Sequence, residues 1–331
     1  MLSCMFKKNL FLAVVLLAFT APLDAAPSYL TQPVVIKPYS ISHYNRTIAE
    51  LYAQIGDTEN IAKRIDLISA YFLGKPYLLG ALGEGPNGLF DKNPLYRTDA
   101  FDCTTFVNTV LALAEADNLT EFQRMIIDIR YKNSVPDFFN NHHFISIDWN
   151  LYNQKKGYLR NVTSDMDADV KTTNMIINKP AWYRRLPPAS IKSFSPLSKK
   201  EANQLLTNLH QYADTLQPQV SQINYIPLSA FFTQTSEGLS PNEVLFNQIP
   251  NGAVIEVVRA KWNMSYKIGT NLNISHMGFA IRTSDGLMFR NASSLYKKVV
   301  DLPLALYLAN YFVRVKDPSS LGINIQMPLK K

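Results

Sequence analysis

Along residues 59–73, ENIAKRIDLISAYFL, apolar side chains return at Ile61, Ile65, Ile68 and Phe72, the spacing of one helical face. Asp57 and Thr58 stand ahead as capping candidates and Gly74 follows as a stop, so the pattern predicts an amphipathic helix packed on a core. The next stretch, GKPYLLGALGEGPNG, is rich in glycine. It has neither the preceding strand nor the following helix that a phosphate or dinucleotide loop needs, so it reads as a loop presenting Tyr77 to the next element. That element begins at Asp102, a natural N-cap, and Phe106, Val107, Val110, Leu111 and Leu113 give its apolar face. Cys103 falls in its first turn.

Residues 274–293, ISHMGFAIRTSDGLMFRNAS, alternate with period two around a turn at SDG and predict a β-hairpin. On the first strand His276, Gly278 and Ala280 share one face, and Met277, Phe279 and Ile281 take the other, apolar face toward the core. A two-residue loop at Ser284-Asp285 or at Asp285-Gly286 puts Asn291 on the face of His276, and the first of these registers brings it within side-chain reach; a three-residue loop breaks that parity. Between helix and hairpin, residues 151–221 carry proline, aromatics and then a helical pattern, and read as an insertion at the rim of a cleft. The expected organisation is a catalytic domain of residues 26–150 and 222–331 with this insertion capping it.

Composition narrows the class. The chain of 331 residues is 47% apolar and 18% charged, as an ordinary globular protein is. Its formal charge of +7 is scattered and lacks an aromatic-basic repeat, so a nucleic-acid partner is not indicated. At the start, Lys7 and Lys8 precede an apolar run from Leu10 to Phe19 with small residues at Ala21, Ala25 and Ala26: a secretory signal peptide, residues 1–25, cleaved after Ala25. That run is too short to span a bilayer and no later stretch is longer, so no stable membrane insertion is expected. A periplasmic or secreted location follows.

Export gives the cysteines a meaning. Cys4 leaves with the signal peptide, so the mature chain holds Cys103 alone, in a compartment where cysteines usually pair. Two readings are open: a buried thiol acting as a small apolar residue, or a nucleophile. A first-turn position favours the second, because free backbone N–H groups and the helix dipole can lower a thiol pKa and can serve an oxyanion. A thiolate needs a base, and five histidines are available. His43 lies in the N-terminal segment. His210 sits in a polar helical stretch that reads as a solvated face. The adjacent His142 and His143 point to different faces, which makes a poor metal pair, and no HExxH or other ligand spacing accompanies them. His276 remains, with Asn291 able to orient it as the third member of a Cys-His-polar triad. Arg130, Tyr131, His143 and Trp149 lie close in sequence and could hold a sugar or carboxylate, or simply pack a loop.

In order, GKPYLLG, FDCTTFV, IPNGAVIEVV, SHMGFAI and FRNAS resemble the NlpC/P60 superfamily of papain-like cysteine hydrolases acting on bacterial cell wall. The likeness is to its amidase-like branch, long called domain of unknown function 1460, and covers roughly residues 60–150 and 225–325. The resemblance implies an α+β, papain-like fold with N-terminal helices on a mainly antiparallel sheet and an inserted subdomain. It implies Cys103 as nucleophile, His276 as base, Asn291 as the third polar residue, and Tyr77 and Asp102 lining the substrate cleft. Two departures stand out. The third position is more often histidine in the superfamily, and 173 positions separate Cys103 from His276, a gap much shorter in simple members.

The implied activity is a metal- and cofactor-free N-acetylmuramoyl-L-alanine amidase acting on muropeptides, with a capped cleft suited to 1,6-anhydro ends. The alternatives are an endopeptidase cutting between D-glutamate and the diamino acid, a cell-wall binding protein that has lost catalysis, and an acyl transferase. Six N-x-[ST] sequons occur, one at Asn291; a bacterial periplasmic enzyme would use none of them.

Overall fold

The computed structural model describes residues 37–331 except 57 and 194–196. The expected signal peptide lies outside the described residues. Among the described residues, no helix is long and apolar enough to cross a membrane.

Four helices come first: α1 (Ile41–Ile55), α2 (Ile61–Tyr71), α3 (Cys103–Glu115) and α4 (Leu119–Arg130). The predicted helix at 59–73 is α2, but its cap is Asn60, whose side chain accepts from the Lys63 N–H at 3.0 Å. Thr58, a capping candidate in the sequence, turns instead to the Ile55 carbonyl, and Asp57 lies outside the described residues. Helix α3 is buried from Thr105 to Glu115. With so little of its surface in water, it is held by packing more than by helix propensity.

The strands are β1 (Leu159–Asn161), β2 (Lys171–Ile177), β3 (Gln219–Pro227), β4 (Phe232–Thr235), β5 (Gly238–Pro241), β6 (Val254–Arg259), β7 (Ile274–Thr283), β8 (Gly286–Ser293), β9 (Lys298–Pro303) and β10 (Leu321–Pro328). Eight form one antiparallel sheet in the order β2-β3-β10-β6-β7-β8-β9, with β1 also paired to β10; β4 and β5 pair separately. The mixed α+β class, with N-terminal helices on an antiparallel sheet, agrees with the expectation from sequence.

The helices α1–α4 cover one face of the sheet, meeting Val254, Met277, Phe279, Ile281, Ala292 and Val299. Phe106 of α3 and Phe279 of β7 cross edge-on at 5.9 Å. A second apolar layer covers the other face. There Ile255, Val257, Ala280, Phe289, Ile323 and Ile325 pack with Phe231, Phe246, Leu304 and Leu308. This second layer explains why β6 is apolar almost without interruption: its residues 254–258 are buried on both faces.

Residues 151–221 divide between two roles. Strands β1 and β2 and the start of β3 belong to the main sheet. The stretch from Asn178 to Leu216 instead builds a small aromatic core, where Tyr183, Leu209 and Ala213 meet Phe90 and Phe138 of the N-terminal half. Lys192 ties this stretch to the glycine-rich loop, donating to the Gly80 carbonyl at 3.0 Å and pairing with Asp91 at 2.9 Å. His210, read as solvated, is half-buried here and lies 3.1 Å from the Leu186 carbonyl.

Candidate active site

Cys103 is the first residue of α3, and a capping box fixes that start. Asp102 Oδ1 accepts from the Thr105 N–H at 2.8 Å, and Thr105 Oγ1 accepts from the Asp102 N–H at 2.9 Å. Asp102 Oδ2 accepts from the Gly80 N–H at 2.7 Å. Both carboxylate oxygens therefore hold backbone, one capping the helix and the other anchoring the loop. Tyr77 lies earlier on that loop, half-buried against the helical core. Its N–H donates to the Lys297 carbonyl at 2.8 Å, and it forms a parallel bridge with Phe101, two residues before the thiol.

The hairpin has the first of the two registers read from sequence. Thr283 pairs Gly286 and Phe279 pairs Arg290, leaving Ser284-Asp285 as the turn. His276 and Asn291 share a face, and His276 Nε2 lies 2.9 Å from Asn291 Oδ1. The Asn291 amide is itself oriented, since its Nδ2 donates to the Phe289 carbonyl at 3.1 Å. Its Oδ1 must then accept, so Nε2 carries the proton and Nδ1 is left as the acceptor. Gly278 makes the approach possible: a Cβ there would stand 2.7 Å from Asn291 Cβ and 2.6 Å from the Arg290 carbonyl oxygen. Ala280, expected to clear the same face, packs in the second core opposite Phe289.

Helix α3 and strand β7 meet at the thiol. The half-buried Cys103 Sγ lies 3.9 Å from Thr104 Oγ1, and the backbone of Met277 on β7 and of Thr104 favours its thiolate form. Met277 directly follows His276, so the thiol and the imidazole flank the same short piece of β7. The expectation of an acidic thiol is not met. Burial and then the Asp102 carboxylate push the Cys103 pKa up to about 12, outweighing the donors that favour the thiolate. The cap adds to the effect of burial, since Asp102 already sets a negative charge against the helix N-terminus. Burial also lowers the pKa of His276, although Asn291 and Asp102 both oppose that shift. Thiol and imidazole are therefore both neutral near pH 7.

The other sequence candidates are held by internal hydrogen bonds, and Arg130, His143 and Trp149 line a small cavity together with Asp102 and Thr104. Arg130 donates to the Leu95 carbonyl at 2.8 Å, Tyr131 Oη to the Gly83 carbonyl at 2.7 Å, and Trp149 Nε1 to Asn108 Oδ1 at 2.7 Å. His143 Nε2 is 2.7 Å from the Phe138 carbonyl. Burial lowers both His142 and His143 to about 4. Among the described residues, no group of three or more His, Cys, Asp or Glu could hold a metal ion.

Tyr307 went unnoticed in the sequence. It comes from the helix Leu304–Phe312, and its ring lies 4.7 Å from Phe289 and 6.3 Å from His276. An i, i+4 pattern of Leu304, Leu308 and Phe312 marks that helix as amphipathic. No sequence signal connects it to His276.

The sequence model of the N-acetylmuramoyl-L-alanine amidase-like family matches residues 67–313. A solved protein of Legionella pneumophila, assigned to domain of unknown function 1460, is 44% identical, with a TM-score of 0.81 over 87% of this chain and 95% of its own. An N-acetylmuramoyl-L-alanine amidase of Bacteroides uniformis is 22% identical, with a TM-score of 0.54 over 82% of this chain and 99% of its own, a likeness of fold. No curated protein matches the sequence. The chain belongs to the N-acetylmuramoyl-L-alanine amidase-like family.

Proposed function

We propose that the protein is an exported, cysteine-dependent hydrolase of the NlpC/P60 type that cleaves the amide between N-acetylmuramic acid and L-alanine in muropeptides. Membership of the amidase-like family supports a peptidoglycan-derived substrate. The observation that carries the cysteine mechanism is the oriented His276–Asn291 pair on β7 and β8, beside the thiol that opens α3.

In this scheme His276 Nδ1 takes the Cys103 proton as sulfur attacks the lactyl carbonyl. The N–H of Cys103, at the first helical position, donates to the developing oxyanion. Collapse breaks the C–N bond, and imidazolium gives its proton to the departing L-alanine nitrogen. Water, deprotonated by His276, then hydrolyses the muramoyl thioester and frees the thiol. Because thiol and imidazole both begin neutral, proton transfer accompanies attack rather than preceding it. Asp102 holds its two backbone partners throughout, and its charge acts on Cys103 and His276 from the side.

The stretch Asn178–Leu216, tied by Lys192 to the loop that Asp102 anchors, supports a restricted cleft and a preference for 1,6-anhydro ends. Product masses from defined muropeptides test the bond assignment. The amidase releases an intact stem peptide from the sugar. A dipeptide left on the sugar would assign the bond between D-glutamate and the diamino acid instead.

A further inference from the structure

Two aromatic rings flank one side of the imidazole that Asn291 holds. Phe289 meets His276 edge-on, with centroids 5.7 Å apart and planes at 79°. Tyr307 lies against it at 6.3 Å and 35°, and the two aromatics pack on each other at 4.7 Å. Phe289 belongs to β8 and supplies the carbonyl that orients Asn291. Tyr307 arrives from a different element, a helix seated on the second core by Leu304 and Leu308. Sheet and helix thus converge on one half-buried side chain.

We infer that Tyr307 is a positioning residue: its ring, packed on Phe289, holds His276 in the rotamer bonded to Asn291 and shields one side of that bond from water, leaving Nδ1 as the free acceptor. The catalytic consequence rests on the Cys103–His276 reading above; the packing of the rings on the imidazole does not. Removing water from around an imidazole penalises its charged form. A hydrogen bond in a drier setting is also electrostatically stronger.

Asp102 on α3 is the charged group that acts on the imidazole, and Tyr307 is itself faced by its hydroxyl partner Tyr311 (3.3 Å), by Cys103 on α3 and by Arg259 at the end of β6. Asp102 favours imidazolium, but burial outweighs it. A tyrosine face can also stabilise a cation, yet 6.3 Å with a 35° tilt is at the outer limit of that attraction, about 6 Å. Desolvation therefore sets the direction.

The test is an NMR titration of the His276 ring in a Cys103→Ala background, beside the pH profile of kcat/KM on muropeptides in the Cys103 enzyme. Tyr307→Ala should move the His276 midpoint to higher pH and carry the acid limb of kcat/KM with it, with kcat falling more than KM changes. Tyr307→Phe, which keeps the ring, should leave the midpoint in place and restore kcat/KM to within about twofold of wild type. If Tyr307→Ala fails to fold, as judged by circular dichroism, Tyr307→Leu replaces it. A midpoint that stays put or falls when the ring is removed overturns the proposal and leaves the amidase reading intact. A midpoint that rises in a protein that cuts no muropeptide upholds the ring's role and removes the amidase reading instead. Loss of activity in Tyr307→Phe with an unmoved midpoint upholds the ring's role and adds a substrate contact by the hydroxyl, whereas a midpoint that rises in Tyr307→Phe assigns the effect to the hydroxyl and overturns the proposal.

Discussion

Gly278 lies against Asn291 across the β7–β8 hairpin, and the missing side chain of one gives the other room to reach His276. Gly278→Ala would drive a methyl into Asn291 Cβ and the Arg290 carbonyl, both under 3 Å away. Overpacking of this kind costs about 1–3 kcal/mol. Displacing Asn291 should also lower kcat on the order of 10²-fold, as a misplacement of about 1 Å can. Thermal unfolding and steady-state kinetics of the same variant check both effects. Full activity in Gly278→Ala would mean that the Asn291 contact does not matter to turnover.

The pH behaviour of the site follows from two neutral partners. With the Cys103 pKa pushed up to about 12, iodoacetamide should modify the free enzyme slowly at pH 7 and progressively faster toward pH 10. The acid limb of kcat/KM should follow His276, whose pKa burial holds below the ordinary value of about 6.5. Activity is lost as pH falls through that midpoint, because imidazolium cannot take the thiol proton. Rapid alkylation at pH 6 would point instead to a preformed thiolate–imidazolium pair.

Asp102→Asn separates the cap from the charge. The amide keeps an oxygen for the Thr105 N–H but turns its NH2 toward the Gly80 N–H, so the loop anchor is lost and stability should fall by about 1–3 kcal/mol. Removing the charge lowers the cost of forming the thiolate and raises that of forming imidazolium. The alkylation profile and the acid limb should then both shift to lower pH. Asp102→Ala should lose the same loop anchor and about 0.5–2 kcal/mol more of unfolding free energy for the cap.

Glu256, fully buried on β6, accepts from Asn150 Nδ2 at 2.9 Å, and burial raises its pKa to about 8. The unfolded chain releases this proton near the ordinary value of about 4.3, whereas the folded chain keeps it to about 8. The folded state therefore binds more protons between these values, and stability falls as pH rises through the interval, then levels off. Glu256→Gln should remove this slope. Melting temperatures of the two proteins should diverge from pH 5 to pH 8, the variant being the more stable, and parallel curves would contradict the assignment.

Much of this arrangement was legible in the sequence because it is local. The helical spacing of α2 and α3, the Asp102 cap and the period-two hairpin each follow from residues a few positions apart, and the turn at Ser284-Asp285 then fixes the face of Asn291. The second apolar layer was harder to see, since a strand buried on both faces loses the alternation that marks one buried on a single face. The thiol's electrostatics depend on burial and on what the capping carboxylate faces, which spacing along the chain does not encode. Tyr307 reaches His276 only because its helix folds back over β8. The sequence of that helix shows its amphipathic face but not its neighbour.

The most direct test of the central claim compares the wild-type protein with Cys103→Ala on one defined muropeptide, following release of intact stem peptide by mass spectrometry. The account predicts steady release by the wild type and only background release by Cys103→Ala, with the variant's circular dichroism and melting temperature close to those of the parent. Turnover that survives in Cys103→Ala would contradict it, because no other thiol remains in the described chain to carry the acyl group.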